Sequence, residues 1–167
     1  MRVILPPVGL AVSVSALAEQ AHIDEAEGPQ LTALILAATA VVETATNRPI
    51  LKRTVEIALP EESWSEFWLP VAPCHALVDA PGAVLLRGYD EPRIRRGDYG
   101  GDTIRAEVGY RTAAEAPQQL LQAITLLVLE WRAAGITVEG QFLAPQLSFG
   151  VQRLLRQIRY RRPQEMR

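Results

Sequence analysis

The side chains with the most to offer chemically lie near the C-terminus, in Ser148-Phe149-Gly150-Val151-Gln152-Arg153-Leu154-Leu155-Arg156-Gln157-Ile158-Arg159-Tyr160-Arg161-Arg162. A guanidinium is a planar fork that holds carboxylate or phosphate through two parallel hydrogen bonds, so the chemistry here is recognition of anions. Val151, Leu154, Leu155 and Ile158 recur at i, i+3, i+4 and i+7, which puts them on one face of a helix. Arg153, Arg156, Arg159 and Tyr160 then share the opposite side, and Ser148 stands where a helix would be capped. The segment reads as a docking arm: one side grips apolar surface and the other presents cations.

The remaining candidates for chemistry read as structural. A metal site needs three or four ligands in workable geometry, and the chain offers His22, Cys74 and His75 with no CxxC or HxxxH spacing. Cys74 and His75 are adjacent, so on a strand they alternate faces, and no partner nearby would orient a Cys–His nucleophile. The run Gly97-Asp98-Tyr99-Gly100-Gly101-Asp102 is flanked by strand-like sequence with no helix after it, so it reads as a hairpin loop rather than a phosphate cradle. Glu61, Glu62 and Glu66 surround Trp64 and approach Phe67 and Trp68, but nothing fixes two carboxylates across a cleft. The acidic charge there also argues against a stacking surface for single-stranded nucleic acid, which interleaves basic residues with aromatics. No catalytic residue, metal or cofactor is expected.

The elements that must position the arm follow from the hydrophobic pattern. The chain has 167 residues, 49% hydrophobic and 22% charged, with a formal net charge of −2, so nothing draws it globally to nucleic acid or membranes. Glu19, Asp24, Glu25, Glu27 and Glu43 make the first quarter acidic while the last stretch is basic, a distribution that suits head-to-tail contacts between copies. Val3 to Val14 is too short to span a bilayer and is interrupted by Pro6, Pro7 and Gly9, so a soluble protein without a membrane partner is expected. Cys74 is the sole cysteine, which excludes a disulfide framework.

An extended leader (residues 1–12) precedes a short helix capped by Ser15 and running to about Ile23. An acidic turn from Asp24 to Pro29 leads into a long helix over Gln30–Thr46, stopped by Asn47 and Pro49. Ile50–Leu59, Phe67–Val71, Ala76–Val78, Val84–Arg87 and Thr103–Val108 read as strands of one small antiparallel sheet, punctuated by Pro and Gly. A second long helix runs from Pro117 to about Ala134, where Gly135 ends it. The fold class is therefore α+β: two long packed helices, a short N-terminal helix, a small antiparallel β region in the middle and a C-terminal amphipathic helix. The functional division is a core over residues 1–147, with the β insertion at about 50–110, and a docking arm over 148–167.

Both long helices are more apolar than one packed face requires. The first leaves only Thr32, Thr39, Glu43 and Thr46 as a polar strip, whereas a surface helix needs an apolar stripe roughly 100° wide. Part of each helix, around Leu36, Leu126 and Leu129, is therefore expected to bury against another copy, each fully buried Leu contributing about 1.5–3 kcal/mol. The alternative is that sheet and arm cover both helices within one copy.

The order of elements resembles the head–tail connector, or adaptor, proteins of long-tailed phages and gene transfer agents. Three places carry the resemblance: Ser15 to Ile23 followed by Leu31 to Ile50, the strand ending Ala106-Glu107-Val108-Gly109-Tyr110 with the helix Leu120 to Trp131, and Ser148 to Leu155. This chain has Gln20 and Ile23-Asp24 where the family usually carries basic residues, and it continues past the usual stop with Arg161, Arg162 and Arg167. The resemblance implies a structural protein, not an enzyme, made in the bacterial cytoplasm and located in the neck of a virion or phage-like particle. Its copies would form a twelve-fold ring below the portal protein and extend the DNA channel toward the next neck protein, a stopper or tail terminator, with DNA passing non-specifically. It also implies that the arm (Phe149, Val151, Arg153, Leu154, Leu155, Arg156, Ile158, Arg159, Tyr160 and Arg161) engages the portal. Two other readings of the residues stand beside it: a DNA-contacting module using the arginine-rich tail on phosphates, and a small hydrolase built on Glu61, Glu62 and Glu66 or on Cys74 and His75.

Overall fold

The computed structural model describes residues 1–61, 64–86, 90–135 and 147–163. Residues 136–146, together with Glu62, Arg87 and Arg167, lie outside them. The fold is α+β, and the described residues form four α-helices and two small antiparallel sheets. The chain packs as two compact units, one formed by residues 1–8, 47–112 and 160–167 and the other by 9–46 and 113–159. This grouping follows packing, whereas the division expected at 147/148 follows function.

The second unit is helical. Helix α1 spans Val14–Ala21. Its cap is Ser13, not Ser15: the Ser13 hydroxyl accepts from the Ala16 N–H at 3.4 Å, and Ser15 shares a 2.8 Å hydrogen bond with it. Two serines two residues apart compete for one role, and the one just outside the first turn takes it. Helix α2 spans Gly28–Thr46 and ends where Asn47 takes a left-handed φ of 55°, as the stop signal implies. Leu31, Leu34, Ile35, Ala38 and Val42 are buried at helical spacing. α2 packs against α1, against α3 (Gln118–Ala133) and against α4 (Phe149–Ile158). Thr32, Thr39, Thr44 and Thr46 donate their hydroxyls to carbonyls four residues back. Thr46 is fully buried in this way, so the polar strip expected on α2 is shorter than the sequence suggests. By length and composition α2 would suffice to cross a bilayer; inside this unit it buries Leu31, Leu34, Ile35, Ala38 and Val42.

The first unit is a pair of sheets rather than one. Strands β1 (Arg2–Leu5), β2 (Arg53–Ala58), β4 (Cys74–Val78) and β7 (Thr103–Val108) form a four-stranded sheet in the order β1-β2-β7-β4. Strands β3 (Glu66–Trp68), β5 (Val84–Leu86) and β6 (Arg93–Arg95) form a three-stranded sheet in the order β3-β6-β5. One core joins them, built from Val55, Ile57, Phe67, Ile94, Ile104 and Ala106 among others. The Gly97–Asp102 run is not a hairpin loop, because the strands on its two sides belong to different sheets. Glycine is required at position 109: its φ is +91°, and a Cβ there would collide with the Leu51 carbonyl.

Candidate functional site

The terminal arm is a helix whose two faces have different fates. Ser148 caps it, its hydroxyl accepting from the Val151 N–H at 3.4 Å. Val151 and Leu155 are buried, Leu154 and Ile158 are half-buried, and α4 packs on α3 and α2. Its apolar stripe is thus mostly used within its own unit. On the outer side Phe149 is 78% exposed. With Gln152, Arg153, Arg156 and Gln157 it lines an open depression of about 360 Å³. Arg153, Arg156, Arg159 and Arg161 are exposed, and no ion pair engages them among the described residues.

The helix stops at Ile158 and Arg159 is extended, so Arg159 and Tyr160 do not continue the cationic face. Tyr160 is buried in the sheet unit. Its hydroxyl donates to the Leu69 carbonyl at 3.0 Å, and its own carbonyl accepts from the Asn47 side-chain amide at 3.1 Å. Burial pushes the phenol above its ordinary pKa of 10, which keeps it neutral and donating. Two residues on, the Arg162 guanidinium lies 4.7 Å from the Phe67 ring centroid.

Of the three expected contact leucines, Leu36 is 54% exposed, and Leu126 and Leu129 are half-buried. Sequence reasoning missed a second exposed apolar group. Among the described residues, Met1, Val3, Leu5 and Val8 are four of the seven large apolar side chains that stand exposed. It also missed the pair that ties the acidic turn to α3: the Glu27 carboxylate accepts two hydrogen bonds from Arg132, both at 2.8 Å. That guanidinium hydrogen bond holds the Glu27 carboxyl below its ordinary value of 4.5.

Two of the residues weighed for catalysis, Cys74 and Glu66, are otherwise engaged. Cys74 is buried and its thiol is pushed up to about 12, chiefly by desolvation, the opposite of what a nucleophile needs. Glu66 is clamped by Arg93 at 2.9 Å and Arg95 at 3.2 Å. Among the described residues no group of three or more His, Cys, Asp or Glu side chains is arranged to hold a metal ion. The aromatic patch is less acidic than its local sequence implies. Arg93 lies 5.1 Å from the Trp68 ring centroid and Arg96 5.5 Å from that of Trp64, because strand pairing brings in arginines distant in sequence.

The fold is one found in gene transfer agent (GTA) particles. The chain matches a chain in the neck of an empty GTA particle computed with C6 symmetry at a TM-score of 0.70 and 19% identity, covering 97% of this chain and 98% of that one. It matches a chain of the virion of a native GTA particle at 0.67 and 23%, and one in the neck of a native GTA particle computed with C12 symmetry at 0.59 and 24%, both over 97% of this chain and 98% of the other. No family model matches the chain, and no curated protein does. The resemblance carried by the three sequence motifs is therefore matched by a shared fold.

Proposed function

We propose that the chain is a structural head–tail connector, whose copies form a ring below the portal and link a DNA-filled head to a tail around the DNA channel. The observation that carries this reading is the near end-to-end correspondence with chains of two GTA necks, one computed with C6 and the other with C12 symmetry. Residues 1–147 would act as the connector body and 148–167 as its arm. Val151, Leu155 and Tyr160 hold the arm on the body, and Phe149, Arg153, Leu154, Arg156, Ile158, Arg159 and Arg161 meet the portal. Leu36, Leu126 and Leu129 face neighbouring copies, and loops of the β region face the next neck protein. The role requires neither a catalytic group nor a cofactor. Particle production without this chain tests it: DNA-filled heads and separate tails are expected, joined again when the chain is restored. Normal tailed particles in its absence would overturn the reading.

A second reading, direct contact of the arm with DNA phosphates, is favoured by the exposed Arg153, Arg156, Arg159 and Arg161. It separates from the first by salt dependence. Phosphate binding weakens with a log–log slope of about −0.9 per contact, whereas portal docking that also uses Phe149 depends on that ring and less on salt.

A further inference from the structure

We propose that neighbouring copies join edge to edge, β1 of one copy adding to β4 of the next so that the four-stranded sheet continues from copy to copy. This rests on the ring reading above and names the strands that would close it. β1 and β4 are the outermost strands of that sheet among the described residues, and an open strand edge presents unpaired N–H and C=O groups to another chain. The register lays three rows of side chains straight across the sheet: Arg2–Glu56–Arg105–Val78, Val3–Val55–Ala106–Leu77 and Leu5–Thr54–Glu107–Ala76. Directly opposed residues on neighbouring strands share a face. In the second row Val55 and Ala106 are fully buried, whereas Val3 is 47% exposed and Leu77 half-buried. The core therefore covers the middle of this row and gives out at both ends. Leu5, at the end of the third row, is 60% exposed.

Three features point to a second copy as the occupant, and polarity is the first. Each neighbouring pair of strands is antiparallel, so β1 and β4 run in opposite directions. A copy set beside the first without being turned over brings its β1 antiparallel to β4, the more stable pairing. Facing is the second. The same placement keeps each face of the sheet on its own side, so Val3 meets Leu77, Leu5 meets Ala76, and the thinly covered ends of the apolar row cover each other. Charge is the third. Arg105 is shared between Glu56 at 3.5 Å and Asp79 at 3.7 Å, so two carboxylates divide one guanidinium beside β4. Arg2 is exposed and forms no ion pair among the described residues. In the continued first row it lies opposite Val78, one residue from Asp79. β1 on β4 joins two different edges, a heterologous contact of the kind that closes into a ring, whereas like edges meeting would stop at a pair.

Disulfide trapping tests the contact. Leu5→Cys and Ala76→Cys are placed in one chain, and particles that contain it are treated with a mild oxidant. Within a copy the two positions lie three strand spacings apart, about 14 Å, too far for a direct disulfide; between copies they are directly opposed. A ladder of linked copies is expected on non-reducing gels, lost when either substitution stands alone. Particles that contain the variant but yield only single copies overturn the contact, as do linked pairs from one substitution alone or links to a different protein. Where the variant fails to enter particles, hydrogen–deuterium exchange of the unaltered chain decides. Amides of both 2–5 and 76–78 are expected to exchange at least about tenfold more slowly in particles than in the monomeric chain. Unchanged exchange at either edge, including an edge already protected in the monomer, overturns the contact. Absence of the unaltered chain from particles overturns the connector reading itself, and the contact with it.

Discussion

The helical unit and the sheet unit hold together by different means. In the helical unit cohesion is apolar: Leu34, Ile35, Leu120, Ile124 and Val151 are fully buried, and threonine hydroxyls fold back onto the helix backbone. It carries the ion pair Glu27–Arg132. The sheet unit couples its strands with charge across the register: Arg93–Glu66 at 2.9 Å, Lys52–Glu107 at 3.0 Å and Arg105–Glu56 at 3.5 Å, with three arginines over aromatic rings. The contrast shows which charges are already engaged. Most sheet arginines have partners inside the unit, whereas Arg153, Arg156 and Arg159 on the helical unit's outer surface have none among the described residues. A partner-binding function therefore falls more naturally to those arginines than to the more numerous cations of the sheet.

This contrast predicts a graded series of effects. The largest is Leu155→Ala, which removes a buried apolar side chain from α4 and should cost about 2–5 kcal/mol, read by urea unfolding. A loss well below 1 kcal/mol would mean that the arm is only loosely seated. Next is Tyr160→Phe, which deletes the hydroxyl bonded to Leu69 in the sheet unit and should cost about 0.5–1.5 kcal/mol. An unchanged unfolding midpoint would show that the anchor contributes nothing. Glu27→Gln has a smaller, pH-dependent effect. Because Arg132 holds the Glu27 carboxyl below its ordinary 4.5, the pair stabilises the fold above that pH, and the contribution is lost as pH falls through the lower folded value. The variant should therefore show a shallower loss of melting temperature just below pH 4.5; profiles of equal slope would contradict this. Smallest in stability is the pair Arg153→Glu and Arg156→Glu, expected to change unfolding by no more than about 0.5 kcal/mol while losing attachment of tails to heads. Normal tailed particles from that variant would remove these arginines from the docking surface.

Much of the helical unit was legible from sequence, because helical periodicity and caps are local signals. The stops at Asn47 and Gly135, the Ser148 cap and the span of α3 all follow from residues within a turn of the boundary. Thr103–Val108 was equally plain, since its apolar residues alternate. Arg93–Arg95 was not: Arg-Ile-Arg has one apolar residue, and it becomes a strand only by pairing with Phe67 and Leu85. The split into two sheets was hidden for the same reason, as strand partners are distant in the chain. For the arm, the pattern of Val151, Leu154, Leu155 and Ile158 revealed an apolar face but not its owner. Packing against α2 and α3 rather than a foreign surface depends on tertiary structure, which a periodicity does not encode.

The most direct test of the connector reading is cryo-electron microscopy of purified particles made with this chain as their sole source of it. The account predicts a ring of copies with this fold between portal and tail, with Phe149 and the exposed arginines of α4 toward the portal. Tailed particles whose necks contain no density for the chain would contradict it.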